Sequence, residues 1–173
     1  MDLYTFFQDI QNSAPAQFVN TFGATYPVVE SIHVLAVALV FGSIFVVDLR
    51  LLGLASTNRP FTRVGVDLLR LTWLGFALAV ITGVMLFAPN AASIYQNSNF
   101  WIKMGLILLA GVNMAILELV TARNVSAWDH EAKPPTAARV AGLLSILFWA
   151  AVVVFGRLIG FTTVTDDPFS GLI

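Results

Sequence analysis

The chain has no cysteine. That absence excludes disulfides, thiolate metal sites, iron–sulfur clusters and cysteine nucleophiles, and leaves the compartment open. Charge is also scarce. Asp, Glu, Lys and Arg make up 11% of the 173 residues, against about 25% in a typical soluble domain. The net charge is −1, so nothing draws the chain to nucleic acid. The first 49 residues contain no Lys or Arg. A secretory signal peptide needs a basic start, so none is expected. Histidine occurs only as His33 and His130. No Gly-rich phosphate loop, heptad array or repeat of about 20–50 residues is visible.

Apolar residues are abundant: 58% of the chain is hydrophobic and the mean hydropathy is strongly positive. A soluble fold of this size cannot hide so much apolar surface, so lipid must be part of the solvent. A membrane-crossing helix needs about 20 apolar residues. Four segments qualify, at roughly 27–54, 64–88, 99–122 and 136–162, the second closed by Pro89-Asn90. Short connections favour antiparallel neighbours. The expected fold is all-α: one integral membrane domain, an antiparallel four-helix bundle. Residues 3–22 are aromatic-rich but too polar to cross. Pro15 splits them and Ser13 is a plausible N-cap, which predicts two short amphipathic helices at the interface. Both chain ends are expected to be tied down, because free termini fray.

Lys and Arg set the orientation. Arg59 and Arg63 follow the first segment, and Arg123 and Lys133 follow the third, while the N-terminal region and 89–98 have neither. The expected location is the bacterial inner (cytoplasmic) membrane, multi-pass, with both chain ends outside. The expected partners are the lipid bilayer and a second copy or a larger membrane complex.

Ionisable groups inside a bilayer are costly and usually mark a site. Glu30 and His33 stand three apart at the start of the first segment and share a helix face. His33 would lie roughly 10 Å deep at helical rise. Lys103, Arg157 and Met85 fall at a similar depth in the other three segments, with Trp101 and Met104 flanking Lys103. Four segments thus feed one outer layer. The plainer readings are that Lys103 and Arg157 snorkel to headgroups, that Trp101 belongs to an interface belt, and that His33 is an interhelical hydrogen bonder with Glu30 paired to Lys103 or Arg157. Gly156 and Gly160 flank Arg157 as a small-xxx-small pattern suited to close helix contact. A second layer holds Asp48, Arg50, Asp67, Arg70, Glu118, Arg123 and Arg139, and reads as ion pairs locking helix ends. Asp48 lies five whole turns after Glu30 and should point the same way. Asn113 reads as interhelical glue, and His130 as a solvated loop residue.

One intramembrane histidine disfavours a haem held by two histidines. A single-His haem or porphyrin fits, with His33 as ligand, Met85, Met104 or Lys103 opposite, and Arg157 pairing a propionate. Copper(I) bound by His33 and methionine is a weaker reading. Zinc hydrolysis lacks ligands, and a proton-coupled transporter would show inverted repeats or broken helices. A non-catalytic subunit or scaffold is the alternative from a different class.

The stretches Glu30-Ser31-Ile32-His33-Val34-Leu35, Val47-Asp48-Leu49-Arg50-Leu51-Leu52-Gly53, Phe100-Trp101-Ile102-Lys103 with Asn113, and Gly156-Arg157-Leu158-Ile159 resemble a family of bacterial four-span membrane proteins of unknown function. That resemblance implies fold and membrane location. A more distant likeness, carried by His33 and Lys103, is to the HemJ-type protoporphyrinogen oxidases. It implies haem b or porphyrin binding with His33 as axial ligand and Lys103 as its partner. The copper-resistance D type has a similar first-span histidine.

Overall fold

The computed structural model describes residues 2–21, 24–131 and 133–163. The expected docking of the C-terminal tail and the side chain of Asp67 lie outside the description. Every regular element among the described residues is helical. In chain order they are α1 (Leu3–Gln11), α2 (Ala14–Thr21), α3 (Thr25–Leu51), α4 (Phe61–Phe87), α5 (Ala91–Ile94), α6 (Ser98–Ile116) and α7 (Thr136–Thr162). Helices α3, α4, α6 and α7 are long and apolar enough to cross a membrane.

Local chemistry sets the ends. Pro27 sits in the first turn of α3, where a missing N–H leaves no intrahelical bond unmade. Gly53 ends α3 at φ 73°, with Leu54 N–H donating to Leu49 O at 2.9 Å and Gly53 N–H to Arg50 O at 3.1 Å. This double closure needs the left-handed conformation that glycine adopts freely. Asn97 caps α6, its Oδ1 accepting from Asn99 N–H at 2.9 Å. Pro89 ends α4 in a 3-10 turn, Ala88–Asn90.

The third long helix is shorter than the sequence predicts. Its α-helical part ends at Ile116, continues as a wider turn over Leu117–Thr121, and tightens over Ala122–Ala127. β-Branched Val120 weakens helix there. The change of winding delivers Leu117 and Val125 to a small core around Leu51, Trp128 and Ala138.

Helix α3 packs along α4 and α7, and α6 packs along α7. Contacts run in reversed sequence order: Ser43 meets Thr72, while His33 meets Thr82. One end of the molecule carries the basic connections after α3 and α6, and is called the basic end here. At the opposite end, Asn97 Nδ2 donates to Thr162 Oγ1 at 2.9 Å and ties the start of α6 to the end of α7.

The two N-terminal helices form as the sequence predicts and dock at that opposite end. Phe7 stacks on Tyr95 at 4.5 Å, and Gln11 Oε1 accepts from Ala92 N–H at 3.1 Å. Ala16 and Val19 of α2 are buried. Ser13 stands at the N-cap position of α2, its carbonyl accepting from Gln17 N–H at 3.0 Å, while its hydroxyl donates back to Ile10 O at 2.6 Å at the end of α1.

Candidate functional site

The face of α3 toward α4 carries Val29, Ala36, Val40 and Ser43, all buried. Its counterpart on α4 is built from small and hydroxyl residues. A Cβ on Gly75 would meet Val40 Cγ2 at 3.1 Å and Ala36 O at 3.3 Å. Thr72 Oγ1 lies 2.7 Å from Ser43 Oγ. Small residues let backbones approach, and buried hydroxyls join helices where water is absent.

His33 lies on this seam, one turn after Val29. Its Nδ1 is 2.9 Å from Thr82 Oγ1, and a Cβ on Gly83 would come within 3.2 Å of its Cε1. Thr82 has one hydroxyl hydrogen, which it donates to Leu78 O at 2.7 Å. Its oxygen therefore accepts from His33, so the ring proton sits on Nδ1. The lone pair is left on Nε2, and the Ala79 backbone is a further hydrogen-bond partner of the ring. A hydrogen-bonded Nδ1–H is also what orients an imidazole for ligation through its other nitrogen.

Two predicted partners, Glu30 and Lys103 of α6, lie within electrostatic range of His33. Lys103 is the one accommodated by a neighbouring helix. Its Cε and Nζ would each stand 3.5 Å from a Cβ on Gly156, so α7 makes room for the lysine stem. Nζ has no acceptor among the described residues. Glu30, by contrast, is exposed, beside Ser31, Val34 and Leu35. Residues three apart on a helix differ by about 60° in direction, and here that turns His33 inward and Glu30 out. Arg157 is exposed as well, its guanidinium 5.1 Å from the ring centroid of Phe161, a snorkelling pose. Met85 is half-buried on α4. Trp101 is exposed and donates through Nε1 to Tyr95 O at 2.8 Å. Gly156 and Gly160 do not share one role: the first faces Lys103, the second opens on empty space.

At the basic end the expected ion-pair layer gives way to a different arrangement. Arg50 is fully buried. Its Nε donates to Arg59 O at 3.1 Å, and its Nη2 to Asp129 O at 3.1 Å and Glu131 O at 3.0 Å. Carbonyls, not carboxylates, hold the guanidinium, because loop backbone inside a helix bundle needs donors more than the arginine needs an anion. Arg70, Glu118, Arg123 and Arg139 are exposed. Asp48 is buried and bonds Ser145, while its Oδ2 has no partner. The expected common direction of Asp48 and Glu30 fails in effect: Gly142 of α7 covers Asp48, with its Cβ position 3.1 Å from Asp48 O, whereas Glu30 is uncovered.

Asp129 caps the start of α4, accepting from Thr62 N–H and Thr62 Oγ1 at 2.8 Å each. Desolvation pushes its carboxyl up, but the hydrogen bonds from Thr62 and the neighbouring His130 outweigh it and hold the group below its ordinary value. His130 is exposed, as expected of a loop histidine.

Sequence reasoning missed Thr82 and Gly83. Their signal was present: Thr72, Gly75, Ala79 and Thr82 recur at helical spacing, a stripe of small residues on one face.

The chain belongs to a family of unknown function, DUF6644, which matches residues 6–162. No characterised protein and no solved structure matches the chain. A link to the HemJ-type or copper-resistance D-type proteins is not shown.

Proposed function

We propose that this family member crosses the bacterial cytoplasmic membrane as an antiparallel four-helix bundle, with the basic end inside and both chain ends outside. The reversed order of the α3–α4 contacts and the one-sided placement of Lys and Arg support this. Helices α1 and α2 then lie on the outer surface.

The layer around His33 binds haem b or a porphyrin, in redox or haem handling. One observation carries the reading: an imidazole in a helix long and apolar enough to cross a membrane, its Nδ1–H held by Thr82 and Nε2 outside that bond, with Lys103 and Glu30 within electrostatic range and the Ala79 backbone also bonding the ring. The residues fit the group in two respects. Nε2 is the iron-ligating nitrogen, and Lys103 matches a propionate carboxylate. Arg157 lies at the outer edge of the same helix pair and meets a second carboxylate if it swings from Phe161. A bound iron would supply one-electron chemistry. The protein's own part is to hold the imidazole in one tautomer and to neutralise anionic groups. Purified protein supplemented with haem should show a Soret band that His33→Ala abolishes and Thr82→Val shifts. A wild-type spectrum without that band overturns the reading.

Glu30 favours a second reading, a subunit of a homo-oligomer or larger membrane complex. A carboxylate on an exposed face with Val34 and Leu35 is costly against lipid, and a partner helix would cover it. Gly160, open to approach, suits the same partner. Under this reading His33→Ala and Lys103→Ala leave the native assembly size unchanged, while Glu30→Leu or Gly160→Leu changes it.

A further inference from the structure

The main helix contacts run α4–α3–α7–α6, while α4 meets α6 where Phe87 stacks on Phe100 at 5.3 Å, at the end opposite the basic one. Between them, from the basic end to mid-helix, lies a cavity of about 340 Å³ floored by α3 and α7. That is within the range of small-molecule sites, about 300–1,000 Å³. It is remote from His33, which does not line it.

Its chemistry is one-sided. Phe61, Trp73, Phe76 and Trp149 give it aromatic walls. Asp48 and Glu118 are its acids, and among the described residues no Lys, Arg or His lines it. Asp48 is only 4% exposed, and its Oδ2 has no hydrogen-bond partner. Asn113 uses its Nδ2 on Ala141 O at 2.9 Å, which leaves Oδ1 without a protein donor. Thr72 donates to Leu68 O and Thr62 to Asp129, so the hydroxyl hydrogens at the wall are taken. Asp48 Oδ2 and Asn113 Oδ1 are left over as acceptors, and the indole N–H groups of Trp73 and Trp149 are the donors that remain at the wall. A buried acceptor without a donor is costly, and aromatic faces attract cations.

We infer that this groove binds an amphiphilic organic cation, a protonated amine on a flat apolar body, with the ammonium at Asp48 Oδ2 and Asn113 Oδ1. An acyl chain would fill the apolar walls but leave both acceptors unmet. An anionic ligand would meet two acids and no base.

The test uses 9-aminoacridine and acridine, which share a ring system and take up a proton at the ring nitrogen, at a mildly alkaline pH where only the first is charged and offers a cationic N–H to Asp48. Fluorescence titration of the full chain in nanodiscs should show saturable aminoacridine binding and far weaker acridine binding. Asp48→Asn should weaken aminoacridine by about tenfold, the scale of one charge-assisted hydrogen bond, and leave acridine unchanged. Gly111 lines the groove, and a Cβ there meets nothing within 4 Å, so Gly111→Phe should fill the space and abolish binding of the cation. Equal binding of the two dyes, wild-type affinity in Asp48→Asn, or wild-type affinity in Gly111→Phe overturns the inference. If Asp48→Asn fails to fold, Gly111→Phe and the dye pair decide.

Discussion

The two ends of α3 place an ionisable side chain in the same predicament and resolve it in opposite senses. His33 has one nitrogen bonded to Thr82 and the other outside that bond, with the Ala79 backbone as a further partner of the ring; Asp48 has one oxygen bonded to Ser145 and the other bare. Beside His33 stands an ammonium, Lys103. Beside Asp48 stand a second acid and aromatic rings. On the readings proposed above, the first end suits an electron-poor centre carrying anionic arms and the second a cation. Half-satisfied polar groups inside an apolar helix array therefore inform about ligands through what their neighbours leave unmatched. The identity of the residue alone says less.

The largest effect should come from breaking the basic end. Arg50→Met leaves the Arg59 and Glu131 carbonyls without donors and the Asp129 carbonyl with Phe61 N–H alone, and should destabilise it by about 2 kcal/mol or more. Limited proteolysis should then cut within 52–60 and near 129–131 while the α1–α5 contacts persist. If both ends loosen together, the two do not behave as separate units.

Glycine substitutions sharpen the contrast next. At Gly142 a Cβ would lie 3.0 Å from Leu51 Cβ and 3.1 Å from Asp48 O, a backbone atom that cannot step aside. Gly142→Ala should cost about 1–3 kcal/mol in thermal or denaturant unfolding. At Gly83 the obstacle is the His33 ring, which can turn, so Gly83→Ala should cost less and perturb the imidazole. Gly160→Ala, in open space, should leave unfolding unchanged.

Thr82→Val tests the His33 end alone. It removes one hydrogen bond, about 1 kcal/mol, and frees the imidazole to exchange tautomers. Histidine nitrogen NMR should change from a single Nδ1–H form to a mixture. An unchanged spectrum would mean that Thr82 does not select the tautomer.

The smallest effect is pH-dependent. Asp129 has a folded-state value held below the ordinary 3.8. Its stabilising bonds to Thr62 are thus fully present above that ordinary value and lost as pH falls through the lower, folded one. Proteolysis at the 61–62 junction should rise at that point in wild type, and the acid step should vanish in Asp129→Ala.

Hydropathy and punctuation located the helices well. The segment expected at 136–162 coincides with α7, and the first two long helices begin two or three residues before the expected points. The pairing of faces was less legible. Glu30 and His33 look like one unit in sequence, yet α4 covers only one of them, and a rotation of about 60° separates seam from surface. Asp48 and Arg50 looked like members of an ion-pair layer, because acids and bases balance there. The sequence could not reveal that loop carbonyls would claim the arginine first. Thr82 acquires meaning only once its hydroxyl hydrogen is traced to Leu78.

The Arg50 clamp has one more consequence. It grips carbonyls at Arg59, just before α4, and at Asp129 and Glu131, while Ser56 sits exposed in the turn between Arg50 and Arg59 at φ 53°. Covalent continuity through that turn is therefore redundant for holding the halves in register. Two polypeptides made separately, one ending at Ser56 and the other beginning at Thr57, should reassemble in one membrane.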